Sequence, residues 1–271
     1  MVSSYVVLFF GCSFLGWVWE TFYCTIKQGA FQNRGFLFGP ACPIYGAGVL
    51  VAGLLFFDWG VLEPVSHSVL WVFGICAVGS MVLEFSTSWY LEKRFHARWW
   101  DYSDVPFNIQ GRICPPATIG FGIAGVFIVL YLLPWYDDAI SSLPSFAPES
   151  LALVMMAVFG ADLALTEANL SSLVQQMVEM EERFVARGEA AYQTATGAPQ
   201  QLRIRARERE DELRENLREL AGGFNRLQER MVANMTRFKP RVPDLDGAVL
   251  EGHLKDVMRE LKDKRNGAKK A

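Results

Sequence analysis

Two glutamates, Glu20 and Glu84, stand inside long apolar runs of this chain. An ionisable side chain within hydrocarbon costs about 3 kcal/mol or more, so each marks a polar cavity, an ion pair or a binding site. Each is followed by a stretch that mixes helix breakers with arginine and asparagine. After Glu20 come Asn33, Arg34, Gly39-Pro40-Ala41-Cys42-Pro43 and Tyr45; after Glu84 come Arg98, Asp101, Asn108 and Gly111-Arg112-Ile113-Cys114-Pro115. The candidate binding residues are therefore Glu20, Asn33, Arg34, Tyr45, Glu84, Arg98, Asp101, Asn108 and Arg112. Carboxylates set among arginines suit an ion, a small polar solute or a lipid headgroup. The same residues also read as glutamates paired with loop arginines that pin the loops against a helical bundle. The two readings are compatible, and the sequence leaves both open. Asp162 and Glu167 add further acids toward the inner end of a later apolar run.

Other chemistry finds little support. The chain has no G-x-x-x-x-G-K-[ST] loop, no G-x-S-x-G, no H-E-x-x-H and no kinase signature. No catalytic residue can be named, which weighs against an enzyme. A lipid-headgroup enzyme with Glu84 or Asp101 as base ranks last among the functions considered. Cys12, Cys24, Cys42, Cys76 and Cys114 form no C-x-x-C pair, so they read as buried small apolar residues rather than as disulfides or zinc ligands. His67 and His96 lack ligand-spaced neighbours. No metal and no cofactor is implied.

Apolar runs long enough for a bilayer core position these residues. Five spans are predicted, over residues 5–26, 43–59, 65–91, 113–135 and 150–165. The chain is 51% apolar, but the apolar residues are concentrated before about Val174. Of 26 basic residues only Lys27, Arg34, Lys93, Arg94, Arg98 and Arg112 precede that point, and all six fall in the loops 27–42 and 92–112. The other two loops carry only acids: Asp58 and Glu63, then Asp137, Asp138 and Glu149. Positive charge stays on the cytoplasmic side, so the N-terminus is expected outside and the tail inside. Met1-Val2-Ser3-Ser4-Tyr5 lacks a basic leader, and the first run reads as a span rather than a cleaved signal. Trp19, Trp59, Trp89, Trp99, Trp100, Trp135 and Tyr136 near the predicted span ends suit the membrane interface. The loop 92–112 is expected to lie on the inner leaflet, with Arg94 and Arg98 toward lipid phosphates.

The repeated order Glu, Asn, Gly-rich stretch, Cys-Pro and Gly-x-Gly (Gly46 and Gly48, Gly120 and Gly122) suggests a duplicated hairpin. The tail is charged but balanced, with 20 basic and 17 acidic residues, which is weak support for nucleic acid. The fifth run continues as Leu170, Leu173, Met177, Met180 and Phe184. Gly188 and Gly197-Ala198-Pro199 interrupt, and Leu213, Leu217, Leu220, Phe224, Leu227 and Met231 form a heptad seam. Pro240 and Pro243 end it, a last helix carries Leu250, Leu254, Val257 and Leu261, and residues 262–270 fray. The fold class is all-α: a polytopic membrane domain over 1–175 and a cytoplasmic helical or coiled-coil tail over 176–271. The tail would pack on itself, associate with a second copy or hold a partner.

Two groups of residues carry a family resemblance. Trp19-Glu20, Asn33-Arg34-Gly35-Phe36-Leu37, Gly39-Pro40 and Cys42-Pro43-Ile44-Tyr45-Gly46 with Gly48 form the first. Leu83-Glu84, Arg98-Trp99-Trp100-Asp101-Tyr102-Ser103, Pro106, Asn108 and Gly111-Arg112-Ile113 form the second. Over residues 5–135 the chain resembles the bacterial CmpB-like family of type IV ABC-transporter membrane proteins. The resemblance implies a permease-like component of the bacterial cytoplasmic membrane that works with a separate ATPase subunit. The charged tail lies outside it. A membrane-anchored scaffold or sensor acting through the tail is the alternative, and an inner-leaflet lipid-headgroup-binding or lipid-modifying protein the second alternative.

Overall fold

The computed structural model describes residues 2–29, 33–193, 199–235, 237–238 and 252–261. The described chain is helical almost throughout, as a membrane chain must be if its backbone is to bond within itself. Its helices are α1 (Val2–Gln28), α2 (Pro43–Gly53), α3 (Val69–Phe95), α4 (Pro115–Phe127), α5 (Leu133–Ser141), α6 (Phe146–Gln193), α7 (Pro199–Gly222) and α8 (Arg226–Asn234). A further helical stretch covers residues 252–261. Four segments are long and apolar enough to cross a membrane: Val2–Lys27, Val69–Phe95, Pro115–Ser141 and Phe146–Met180. The apolar helix Pro43–Asp58, where a fifth span is predicted, is shorter. Large apolar side chains stand exposed along these helices, among them Leu15, Leu70, Val82, Ile123 and Leu153. Water would penalise such a surface, and lipid does not.

The chain divides into two compact units. The first comprises Met1–Tyr90 and Trp100–Thr166. Its core gathers Leu8 and Cys12 of α1, Val49 of α2, Phe56, Val72 of α3, Val129 and Leu133. α2 runs back along α1, and small residues let the two backbones close up. A Cβ on Gly46 would strike the Phe9 carbonyl and the Ser13 hydroxyl. In the other hairpin Gly122 of α4 lies under the Phe73 ring. The two hairpins share further features. Cys42 and Cys114, both extended, precede the first prolines of α2 and α4. Each helix then passes into a π-helical turn, Leu54–Asp58 and Ile128–Leu132. At one end of the unit the Tyr136 hydroxyl donates to the Ser4 carbonyl at 2.6 Å, and Tyr5 lies close to Asp58. The residues around the two glutamates gather away from that end.

The second unit comprises Leu91–Trp99 and Glu167–Ala271. Leu170, Leu173, Met177 and Met180 of α6, Leu213 and Leu217 of α7, Met231 of α8, and Leu254 and Val257 are buried in it. The short strands Ala97–Arg98 and Arg237–Phe238 pair antiparallel. Two expectations change here. α6 runs unbroken through Gly188 to Gln193, because one glycine costs a helix only about 1 kcal/mol. The heptad seam is not one helix: α7 ends at Gly222, the chain turns through Gly223 and Phe224, and Asn225 starts α8 with a capping box closed by Gln228. The Arg218 side chain reaches Glu260 at 2.8 Å, a contact that raises the Arg218 pKa further. The breaks predicted at Gly197-Ala198, Pro240 and Pro243, the last-helix position Leu250 and the frayed end 262–270 lie outside the described residues.

Candidate functional site

α1 carries Glu20 and α3 carries Glu84, and among the described residues each is met by a tyrosine hydroxyl. The Tyr45 hydroxyl, one turn into α2, donates to Glu20 Oε1. The Tyr102 hydroxyl donates to Glu84 Oε1 at 3.3 Å. Glu84 is only 4% exposed, and its Oε2 accepts no hydrogen bond among the described residues. Burial raises the pKa of the Tyr102 hydroxyl above the ordinary phenol value, and the charges of Glu84, Cys114 and Glu20 raise it further. Tyr102 thus stays a neutral donor and feels both carboxylates. The Tyr45 ring also packs against Phe121, centroids 5.7 Å apart. Burial likewise pushes Cys42, just before α2, up to about 12, with Glu20 adding to the shift.

Local turns bring Tyr102 to that place. Asp101 Oδ1 accepts the Ser103 amide at 3.0 Å. Asn108 donates to the carbonyls of Ser103 and Val105, and its Oδ1 accepts the Gly111 amide at 2.8 Å. The Tyr102 amide donates to the Gly111 carbonyl, and Ile109 pairs with Ile113. Phe107, Gln110 and Gly111 take positive φ to make these turns. Trp100 donates to the Arg112 carbonyl at 3.0 Å. Asp101, Tyr102, Val105 and Asn108 of this loop are half-buried, and Phe107, 90% exposed, stands at its tip.

Arg112 is buried, one turn of α3 beyond Glu84. Its guanidinium donates to Ser88 Oγ at 3.1 Å and lies over the Phe85 ring. On the other hairpin Asn33 Oδ1 accepts from the Trp17 indole at 2.8 Å, and the Arg34 amide donates to Thr21, the neighbour of Glu20. The structure thus gathers Glu20, Tyr45, Glu84 and Tyr102, with Arg112 a turn from Glu84 and the Arg34 backbone beside α1. Asp101 and Asn108 build the loop that carries Tyr102. Arg98 belongs to the second unit, where it pairs with Glu92; the two side chains are 13% and 9% exposed. Arg94, expected toward lipid phosphates, reaches Glu167 at 3.2 Å in the same unit.

Four contributors were absent from the predicted set. Tyr102 is eighteen residues from Glu84, with no periodicity to link them. Ser88 is one helical turn from Glu84, and that spacing on an apolar helix was the available signal. Asp162 and Thr166 share one face of α6. Asp162 accepts the amides of Phe38 and Gly39 at 3.1 and 2.9 Å, and Thr166 Oγ accepts the Phe38 amide at 3.3 Å. They hold the loop before α2 by its backbone.

These features define a polytopic helical membrane protein with carboxylates embedded in its apolar helices. The chain belongs to the family described as "Putative ABC-transporter type IV", whose model matches residues 7–167. No curated protein and no solved structure matches the chain.

Proposed function

We propose that the protein is the permease-like component of a transporter in the bacterial cytoplasmic membrane, with a polar site that opens toward the cytoplasm. The observation that carries this reading is the pair of tyrosine-held glutamates, Glu20 with Tyr45 and Glu84 with Tyr102, inside membrane helices. A charge kept at such a cost points to function rather than to stability. Arg34 and Arg112 balance the carboxylates or hold an anionic solute. The family description supports transport, and the energy would come from a separate ATPase subunit, since the sequence has no P-loop. The N-terminus lies outside and the tail inside, with Pro43–Asp58 as the second of five crossings. The acidic loops and the shared end at Ser4, Asp58 and Tyr136 support this threading.

A second reading has its own observation. α6 continues to Gln193, well past its apolar part, so the tail could be the working element of a scaffold, by itself or with a second copy. Glu84→Gln and Arg34→Ala, set against deletion of 190–271, separate the two. Loss of function only on tail deletion removes the permease reading. Loss only with the charge variants removes the scaffold.

A further inference from the structure

Glu84 presents a problem that the family description does not solve. One of its oxygens accepts from Tyr102, while Oε2, in a side chain 4% exposed, accepts nothing among the described residues. A buried carboxylate oxygen without a donor is costly. Glu20 adds a second carboxylate that acts on the same tyrosine. Like charges in one site disfavour their joint ionisation. A metal ion would relieve this, but Ca²⁺ takes six to eight oxygens and Mg²⁺ six. No group of three or more His, Cys, Asp or Glu that could hold a metal occurs among the described residues. A proton needs one oxygen.

We propose that the Glu84 carboxylate, with Glu20 beside it, is a proton-binding site: Oε2 takes one proton from solvent to give the neutral acid and returns it to water. This rests on the polar site proposed above and adds a proton to what that site binds. The groups that face it are consistent with reversible exchange. α1 brings Glu20, and α2 brings Tyr45 with Cys42 at its start. The loop brings Cys114 and Tyr102, and burial keeps the Tyr102 hydroxyl neutral. Arg112 supplies the balancing charge. Its guanidinium is held on Ser88, one turn of α3 from Glu84.

Infrared difference spectra of the full chain in native-lipid discs, taken on stepping the buffer from acid to alkaline, test this directly. Wild type loses a protonated-carboxyl C=O band, Glu84→Gln lacks that band, and Tyr102→Phe and Glu20→Gln keep it with the midpoint moved at least threefold in proton concentration. Circular dichroism checks the fold, and the Tyr102 and Glu20 variants serve if Glu84→Gln does not fold. A band that persists in folded Glu84→Gln overturns the proposal. So does a wild type without the band, or a midpoint that follows sodium concentration. The readout needs no transport. A missing band together with solute bound in wild type would end the proton site and leave the permease reading in place.

Discussion

Asp162 Oδ2 accepts the backbone amide of Gly39 at 2.9 Å, joining residues 123 apart in the chain. Its other oxygen holds the Phe38 amide, so one carboxylate satisfies two backbone donors in the loop before α2. Hydrogen bonds to a charged group contribute about 1.5–3 kcal/mol. Asp162→Ala is expected to lower stability by about 3 kcal/mol, and Asp162→Asn by about half of that. Gly39→Ala places a Cβ 2.7 Å from Asp162 Oδ2 and is expected to cost about 1–3 kcal/mol. Thermal melts in native-lipid discs measure all three, and an unchanged Asp162→Ala melt would show that the two amides need no partner.

Tyr102→Phe removes the only donor that Glu84 has among the described residues, and is expected to cost about 1–3 kcal/mol. The same change in Glu84→Gln should cost less, because a neutral amide needs the hydroxyl less than a carboxylate does. A double-mutant cycle on these two positions reads the difference. Additive effects would mean that the 3.3 Å contact carries no energy.

The helices, the apolar spans and the two embedded glutamates were legible in the sequence because each leaves a local mark: a run of apolar residues, or a charge inside one. The partners were not. Tyr102 reaches Glu84 only because Asp101, Asn108 and the positive-φ residues Phe107 and Gln110 turn the loop inward. Asp162 was visible as an acid in an apolar helix, but nothing near it points to Gly39. Arg98 resembled Arg112 in sequence, yet Glu92, six residues away, holds it in the other unit. The seam from Leu213 to Met231 kept its spacing through Gly222-Gly223, so periodicity alone concealed the break that Asn225 caps.

The Arg98–Glu92 pair gives a prediction within the second unit. Both side chains are mostly buried, so Arg98→Ala removes a close charged partner of Glu92 and is expected to cost about 1.5–3 kcal/mol. Replacing both, Arg98→Met with Glu92→Leu, should recover most of the loss. Hydrogen exchange over residues 91–99 reads the effect locally. A double variant no better than Arg98→Ala would contradict the charge argument.

The proposed threading is open to labelling. Of the native cysteines, Cys12, Cys24, Cys42 and Cys114 are buried, which keeps the background low. His96→Cys is expected to resist a membrane-impermeant thiol reagent added to intact cells, and Asp138→Cys to react. Rapid labelling at position 96 would invert the orientation.

The central claim is that the embedded glutamates form a working site, and native mass spectrometry of the protein purified in its own lipid tests it most directly. Wild type and a chain lacking 190–271 should carry the same bound solute or lipid, and Glu84→Gln and Glu20→Gln should lose it at least tenfold. Retention by both glutamine variants, with loss on removal of the tail, would contradict the account.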